Sequence, residues 1–397
     1  MEKRRTVIIG GGAAGFFLAI NLKEMCPQME VTIMERAQRV LRKVEVSGGG
    51  RCNLTNTFED IRDLKDVYPR GHQLLKRLFR QFDHHDTWQW FQQRGVRLVA
   101  QDDHCVFPQS QDAHTIINLF LSEAHRLGVI IQTGRGVSSL DELADYDYVC
   151  VTTGGQPRRE ALAWLGQELE EPVPSLFTLS IDDTALTSLT GTVVERASAM
   201  IPGTKLRAHG PLLLTHWGMS GPCILRLSSY AARHLAEAHY HSPLLVNWTG
   251  ATETEAVGAL QEQMHQYQQK RITTVPPMAL PQRLWAFLSG KALQSRALAP
   301  WSSLNAKEVH RLANVLTADV YQISGRAPHR DEFVTCGGVS LRAVNPQTLE
   351  SRTRTGLFFA GEVLDIDGVT GGFNFQAAWT TAYTVARGIA SDSLREN

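Results

Sequence analysis

Three glycines carry the first chemical signal of this 397-residue chain: Gly10-x-Gly12-x-x-Gly15 follows an apolar run at residues 6–9 and opens an apolar stretch of helical pattern. In a strand-turn-helix unit each has a task. Gly10 makes the tight turn, Gly12 lets the backbone approach a pyrophosphate, and Gly15 allows the helix to close on the strand. Ala13 and Ala14 fill the first helical turn, whose free N–H groups and partial positive charge favour phosphate oxygens. Glu35, 20 residues beyond Gly15, ends the next strand-like run. Its carboxylate there can accept both ribose hydroxyls of an adenosine half. That much specifies ADP, which NAD and FAD share.

A second segment selects FAD. Residues 355–362, Thr-Gly-Leu-Phe-Phe-Ala-Gly-Glu, read as a turn, a buried strand and an acid at its carboxyl end, where ligands of open α/β sheets bind. Glu362, after Gly361, can hold a ribityl hydroxyl. Gly371-Gly372-Phe373-Asn374 then open a helix expected to run to about residue 390. Its N-terminal amides favour negative charge at the N1/C2=O edge of a reduced flavin. Thr153-Gly154-Gly155 supplies a further strand-end turn near the cofactor.

Because a flavin carries the redox chemistry, the protein need only orient a substrate and move one proton. The catalytic group is not identified by the sequence; Cys336 and His216 are the candidates. Cys336 lies between Thr335 and two glycines, although buried inert thiols are commoner. His216 stands in Thr-His-Trp-Gly and could donate a proton, with Trp217 beside it to stack on a planar substrate, although a structural histidine and a packing aromatic are commoner. Cys52 adjoins Arg51, which would lower a thiol pKa, but a structural role in a packed loop is the plainer reading. Basic residues recur at Arg70, His72, Lys76, Arg77 and Arg80, at Arg326, His329 and Arg330, and at Arg352 and Arg354. Solvated surface is the plainer reading of each, although two such groups on one face would suit an RNA. The six cysteines form no CxxC pair or zinc spacing, so no metal is expected. No second GxGxxG is present for a separate nicotinamide domain.

To bring residues 10–35 and 355–374 together, the chain must fold as a parallel α/β layer interrupted by an insertion. Strand-like runs at 6–9, 31–34 and 148–152 alternate with helical pattern, including one helix over 112–127. Residues 96–100 and 105–108 predict a hairpin. From about residue 172 short turn-bounded strands follow, at 176–181, 191–196, 205–214 and 243–248, and helical pattern dominates 253–323. The expected division is an FAD-binding domain of 1–172 and 334–397, an inserted β domain of 173–252 and 320–333, and a helical subdomain of 253–319. Forty basic residues balance forty acidic ones, so no global field draws the protein to nucleic acid. No apolar run approaches the ~18 residues of a membrane span, and residues 1–5 lack a secretory cleavage region. A cytoplasmic protein with no obligate protein partner is expected.

Lys43 and the text Val46-Ser47-Gly48-Gly49-Gly50-Arg51-Cys52-Asn53-Leu54-Thr55-Asn56 resemble the BaiN/YhiN-like family of FAD-dependent oxidoreductases. Phe107-Pro108, residues 215–222, Thr335-Cys336-Gly337-Gly338-Val339 and Gly371-Gly372-Phe373-Asn374-Phe375-Gln376 match its order and spacing. The resemblance implies a Rossmann-type, discontinuous FAD domain with an inserted antiparallel β-barrel-like domain and a helical cap. It implies that loop 48–53 follows the phosphates and ribityl chain of FAD, and it adds Arg36, Lys43, Ser47 and Val137 to the residues expected to line the cofactor. It departs at 156–174, which is short and charged and lacks the family's second glycine-rich stretch and helix.

The expected activity passes a hydride through flavin N5, from NADH or NADPH as a transient donor, to an unsaturated substrate under the β and helical domains. That substrate is a small molecule or an RNA, a uridine of ribosomal RNA being the specific form. An oxidase of a small amine or ketone, or a flavin-bound sensor or assembly protein with little turnover, remain alternatives. Family members have been linked to unlike chemistries, so the resemblance fixes the cofactor better than the substrate.

Overall fold

The computed structural model describes residues 3–327 and 334–395, and the chain divides into two compact units, one joining Met1–Ser175 to Glu332–Asn397 and the other Leu176–Asp331. The first is built on a parallel five-stranded sheet. Its order is Leu357–Phe359, Tyr148–Val151, Arg5–Ile9, Glu30–Glu35, Ile130–Thr133. Register pairs Ile9 with both Met34 and Val151, and Val151 with Phe359. Gly10, Glu35, Thr152 and Ala360 therefore leave the sheet in one row at its carboxyl edge.

The helix Ala13–Met25 is apolar all round and buried from Ala14 to Leu22, as expected of a helix between layers. It packs against the sheet and against the long helix Phe373–Arg395. Phe17 meets Trp90 at 4.6 Å and Trp379 at 5.1 Å between ring centroids, and Phe91 and Phe120 close on Trp379 at 5.8 and 5.7 Å. The buried polar edges find partners: Trp90 Nε1 donates to Asn21 Oδ1 and Trp379 Nε1 to the Leu54 carbonyl. Two small sheets complete the unit. One holds the hairpin Leu98–Ala100 with Cys105–Pro108 plus Thr55–Asn56; the other pairs Leu169–Ser175 with Val334–Val339.

The second unit is a closed antiparallel barrel of six strands: Val193–Met200, Arg207–Leu214, Gly218–Ser220, Leu179–Ile181, Asp319–Arg326 and Ser242–Asn247. Helices Glu253–Gln266, Gln282–Leu293 and Ala306–Thr317 belong to the same unit. Buried Asp319 links the second of these to the barrel, accepting from Lys291 Nζ at 2.6 Å, Tyr321 Oη at 2.5 Å and Trp248 Nε1 at 3.1 Å.

Three expectations are corrected. The strand expected over 176–181 begins only at Leu179, because Leu176 turns the chain at φ 56° and Leu169–Ser175 is a separate strand of the first unit. The end of the expected helical text is a strand, Asp319–Arg326, where Tyr321 and Ile323 point inward in alternation. Within the β domain, residues 221–237 form two helices, Gly221–Tyr230 and Ala232–Glu237. Ser220 followed by Gly221-Pro222 was their signal, since proline suits the first helical turn. No helix among the described residues is long and apolar enough to cross a membrane.

Candidate active site

The row at the carboxyl edge gathers the first group of expected residues. Gly10 has φ +113°, and a Cβ there would lie 2.5 Å from the Thr152 carbonyl oxygen. Gly15 is equally constrained, since its Cβ would approach the Gly10 oxygen to 2.1 Å. Gly12 differs: a Cβ would meet nothing within 4 Å. It faces open space at the start of the helix Ala13–Met25, whose N-terminus has no side-chain cap. Its first-turn amides thus remain available to an anion. The Glu35 carboxylate is fixed by the amides of Gly11 and Ala37, each at 2.8 Å, which leaves lone pairs on both oxygens. Gly134 and Arg135 donate to Ala37 and Glu35 backbone oxygens, and a Cβ on Gly136 would lie 3.6 Å from Arg36 Cβ. The segment leading to half-buried Val137 therefore runs beside Arg36.

The second group surrounds the glycine-rich loop. The helix Arg42–Gly50 breaks at Ser47, after which Gly48, Gly49, Gly50 and Cys52 are left-handed at φ 57°, 69°, 82° and 63°. Successive residues in this region turn amides into a concavity suited to anions, and Gly49 again has open space beyond it. Arg51 braces the loop: Nε donates to the Gly48 oxygen at 3.0 Å and the guanidinium lies 4.2 Å from the Phe107 ring centroid. Asn53 ties the loop to the second helix start, its amide oxygen accepting from Gly372 N–H at 3.1 Å and its nitrogen donating to the Thr55 oxygen at 3.0 Å. Asn374 clamps Gly368 through both N–H and C=O, and Asn56 Nδ2 donates to the Gly371 oxygen.

Between the groups lies Glu362. Burial raises its pKa, but the Lys43 ammonium at 2.7 Å and the amides of Thr335 and Gly155 outweigh that and hold the carboxyl below the usual range. The expected ribityl acceptor is thus already a salt-bridged, three-donor carboxylate. Gly154 lies beside it, a Cβ there falling 3.7 Å from Oε2. Thr153 Oγ1, at the same strand end, is buried without a partner. A backbone cradle that no side chain fills, an orphaned hydroxyl and open helix amides together fit a dinucleotide whose phosphates cross the carboxyl edge.

The catalytic candidates fall in different units. His216 is exposed in a barrel turn, its ring 4.9 Å from that of Trp217, and belongs to the second unit. Cys336 is fully buried in the first. Cys52 is also fully buried, and desolvation pushes its thiol up to about 12 in spite of Ser47. It is no thiolate at neutral pH.

Other positioning residues had no sequence signal. Arg70, expected as a surface cation, donates from Nε and Nη2 to the two oxygens of fully buried Asp367, and Ser175 Oγ donates to the same carboxylate at 2.9 Å. The backbones of Arg70 and Asp367 are bridged, and Val369 donates to the Val67 oxygen. Tyr68 Oη donates to the Phe373 oxygen at 2.8 Å. Residues 67–71 are so zipped to the turn that leads into Gly371 and Gly372. His329 and Arg330 lie outside the described residues.

Residues 4–162 match the family model of the HI0933-like protein Rossmann domain, and residues 173–334 that of the HI0933-like protein barrel and H2TH domain. A 3-dehydro-bile acid delta(4,6)-reductase from Clostridium scindens is 27% identical over 97% of this chain and 99% of its own length. A ribosomal RNA dihydrouridine synthase from Haemophilus influenzae is 27% identical over 97% of this chain and 98% of its own. A solved 3-ketosteroid delta1-dehydrogenase from Sterolibacterium denitrificans aligns over 98% of this chain and 99% of that one, with 9% identity and a TM-score of 0.47.

Proposed function

Because this chain belongs to the HI0933-like family and is an FAD-dependent oxidoreductase, we propose that it works as a reductase, taking a hydride from NADH or NADPH and delivering it to a carbon–carbon double bond conjugated with a carbonyl. The observation that carries this is the end-to-end match to two proteins whose names describe such reductions. A 3-oxo steroid with 4,6 unsaturation and a uracil ring share that group. Hydride adds to one carbon of the double bond and a proton to its neighbour, while the nicotinamide is oxidised.

FAD, when bound, supplies the hydride chemistry; the chain holds and tunes it. In this reading Glu35 accepts the ribose hydroxyls, and Gly12, Ala13 and Ala14 present amides to the pyrophosphate. Loop 48–53 follows the phosphates and ribityl chain, and the Phe373–Arg395 helix start faces the flavin edge. Lys43 keeps Glu362 ionised beside that path.

The specific substrate we infer is a uridine of ribosomal RNA. Anaerobic mixing with NADH and with NADPH tests the reductase: one of them should bleach the flavin, and bleaching by neither rejects it. Rapid reoxidation in air with stoichiometric peroxide, whatever unsaturated acceptor is present, would mark an oxidase instead. Deleting the gene and mapping ribosomal RNA by mass spectrometry should show one dihydrouridine replaced by uridine. An unchanged map with a bleachable flavin rejects the RNA substrate and keeps the reductase.

A further inference from the structure

We propose that the exposed face of the helix His72–Leu78 and the two residues beyond it, carrying Lys76, Arg77 and Arg80, is a docking face for the phosphate backbone of RNA beside the candidate flavin edge. This rests on the reductase reading above and adds where a polynucleotide would be held.

The charge is local. The chain as a whole is neutral, yet residues 67–82 contain four Lys or Arg and no Asp or Glu. Arg70 is spent on buried Asp367. The other three point outward: Lys76, Arg77 and Arg80 are exposed, while Leu74, Leu75 and Leu78 turn to the core. His72 and Lys76 fall at i and i+4 on one stripe of the helix, and Arg80 follows in the turn just past its end. None of the three cations has a salt-bridge partner among the described residues; nearby Asp63 is paired with Lys65. Three cations without a salt bridge on one short face, of which Lys76 feels Asp63 only at longer range, are what a polyanion releases counterions to meet.

Position supplies the rest. The helix starts directly after Gly71, where a Cβ would lie 2.6 Å from Ile366, so its base is pressed on the turn that leads to Gly371 and Gly372. It also packs on the helix Phe373–Arg395. At a rise of ~1.5 Å per residue, Lys76 and Arg77 stand roughly 6–8 Å along the axis from His72. Phosphates held there keep a neighbouring nucleotide within reach of the flavin edge. A nucleic acid rather than an anionic membrane is favoured because the face carries no exposed large apolar side chain to insert.

The test uses the full-length holoprotein and deproteinised ribosomal RNA as the probe. Affinity is measured by fluorescence anisotropy across a salt series for wild type and for the triple variant Lys76→Gln, Arg77→Gln, Arg80→Gln. FAD content and melting temperature serve as the folding control. A second triple, Lys76→Arg, Arg77→Lys, Arg80→Lys, keeps the charge. The neutral variant should bind at least ten-fold more weakly at low salt, with the slope of log K against log salt smaller by about 2, while the charge-keeping variant binds as wild type. Equal affinity and slope in wild type and neutral variant overturn the docking face and leave the RNA substrate standing. Absence of salt-dependent RNA binding by wild type rejects the RNA reading itself. Preference of wild type for vesicles rich in phosphatidylserine over RNA also overturns the proposal.

Discussion

Single residues separate the cradle from the scaffold around it. Gly12→Ala places a methyl in open space and should leave the melting temperature of the FAD-free protein unchanged while lowering flavin occupancy. Gly15→Ala drives a methyl into the Gly10 carbonyl and should cost about 1–3 kcal/mol of stability by overpacking. The ratio of flavin to protein absorbance and a thermal melt distinguish the two. Glu362 adds a pH signature. A carboxyl whose folded pKa is depressed stabilises fully above its unfolded value of ~4.3, and the contribution disappears as pH falls through the folded value. Glu362→Gln should therefore cost about 1–3 kcal/mol at neutral pH, and urea titrations should show the gap to wild type closing below about pH 4. The glycine fingerprint and Glu35 could be read from sequence because their spacing is local. The Lys43 partner of Glu362 lies 319 positions away, and no periodicity reports such a pair.

Elements were legible to the degree that one layer decides their pattern. The strands Arg5–Ile9 and Tyr148–Val151 read correctly because both faces are covered and each holds an unbroken buried run, Val7–Ile9 and Tyr148–Val151, of apolar residues. The strand Asp319–Arg326 was submerged in helical text because it follows the helix Ala306–Thr317 with only Ala318 between. The turn before the last helix depends on a buried ion pair, and the sequence showed only a surface-type arginine. Asp367→Asn leaves the Arg70 guanidinium buried without its countercharge and should cost about 3–5 kcal/mol. The double variant Arg70→Met, Asp367→Leu should recover most of that in chemical denaturation. If the single change costs under 1 kcal/mol, the pair does not anchor the turn.

At the scale of the molecule, the inserted unit leaves and returns at adjacent points. Ser175 and Val334 are paired across an antiparallel ladder, so a two-to-four-residue hairpin loop can replace everything between them. The shortened protein should still bind FAD and keep its α/β circular dichroism, but should not reduce substrate. A colourless, unfolded product would show that the first unit needs the second. The inserted barrel, closed on itself, exposes no sheet edge. The interrupted sheet has the opposite history. Its first strand and the helix Ala13–Met25 emerge early from the ribosome, while the edge strand Leu357–Phe359 and the helix Phe373–Arg395 that packs on Ala13–Met25 follow roughly 20–70 s later at ordinary synthesis rates. Through that interval the helix Ala13–Met25 lacks the part of its cover that Trp379 and the rest of the last helix supply, and the barrel can finish folding first. On the proposed FAD site, cofactor capture should wait for a nearly finished polypeptide, and a chain truncated before residue 373 should purify without flavin.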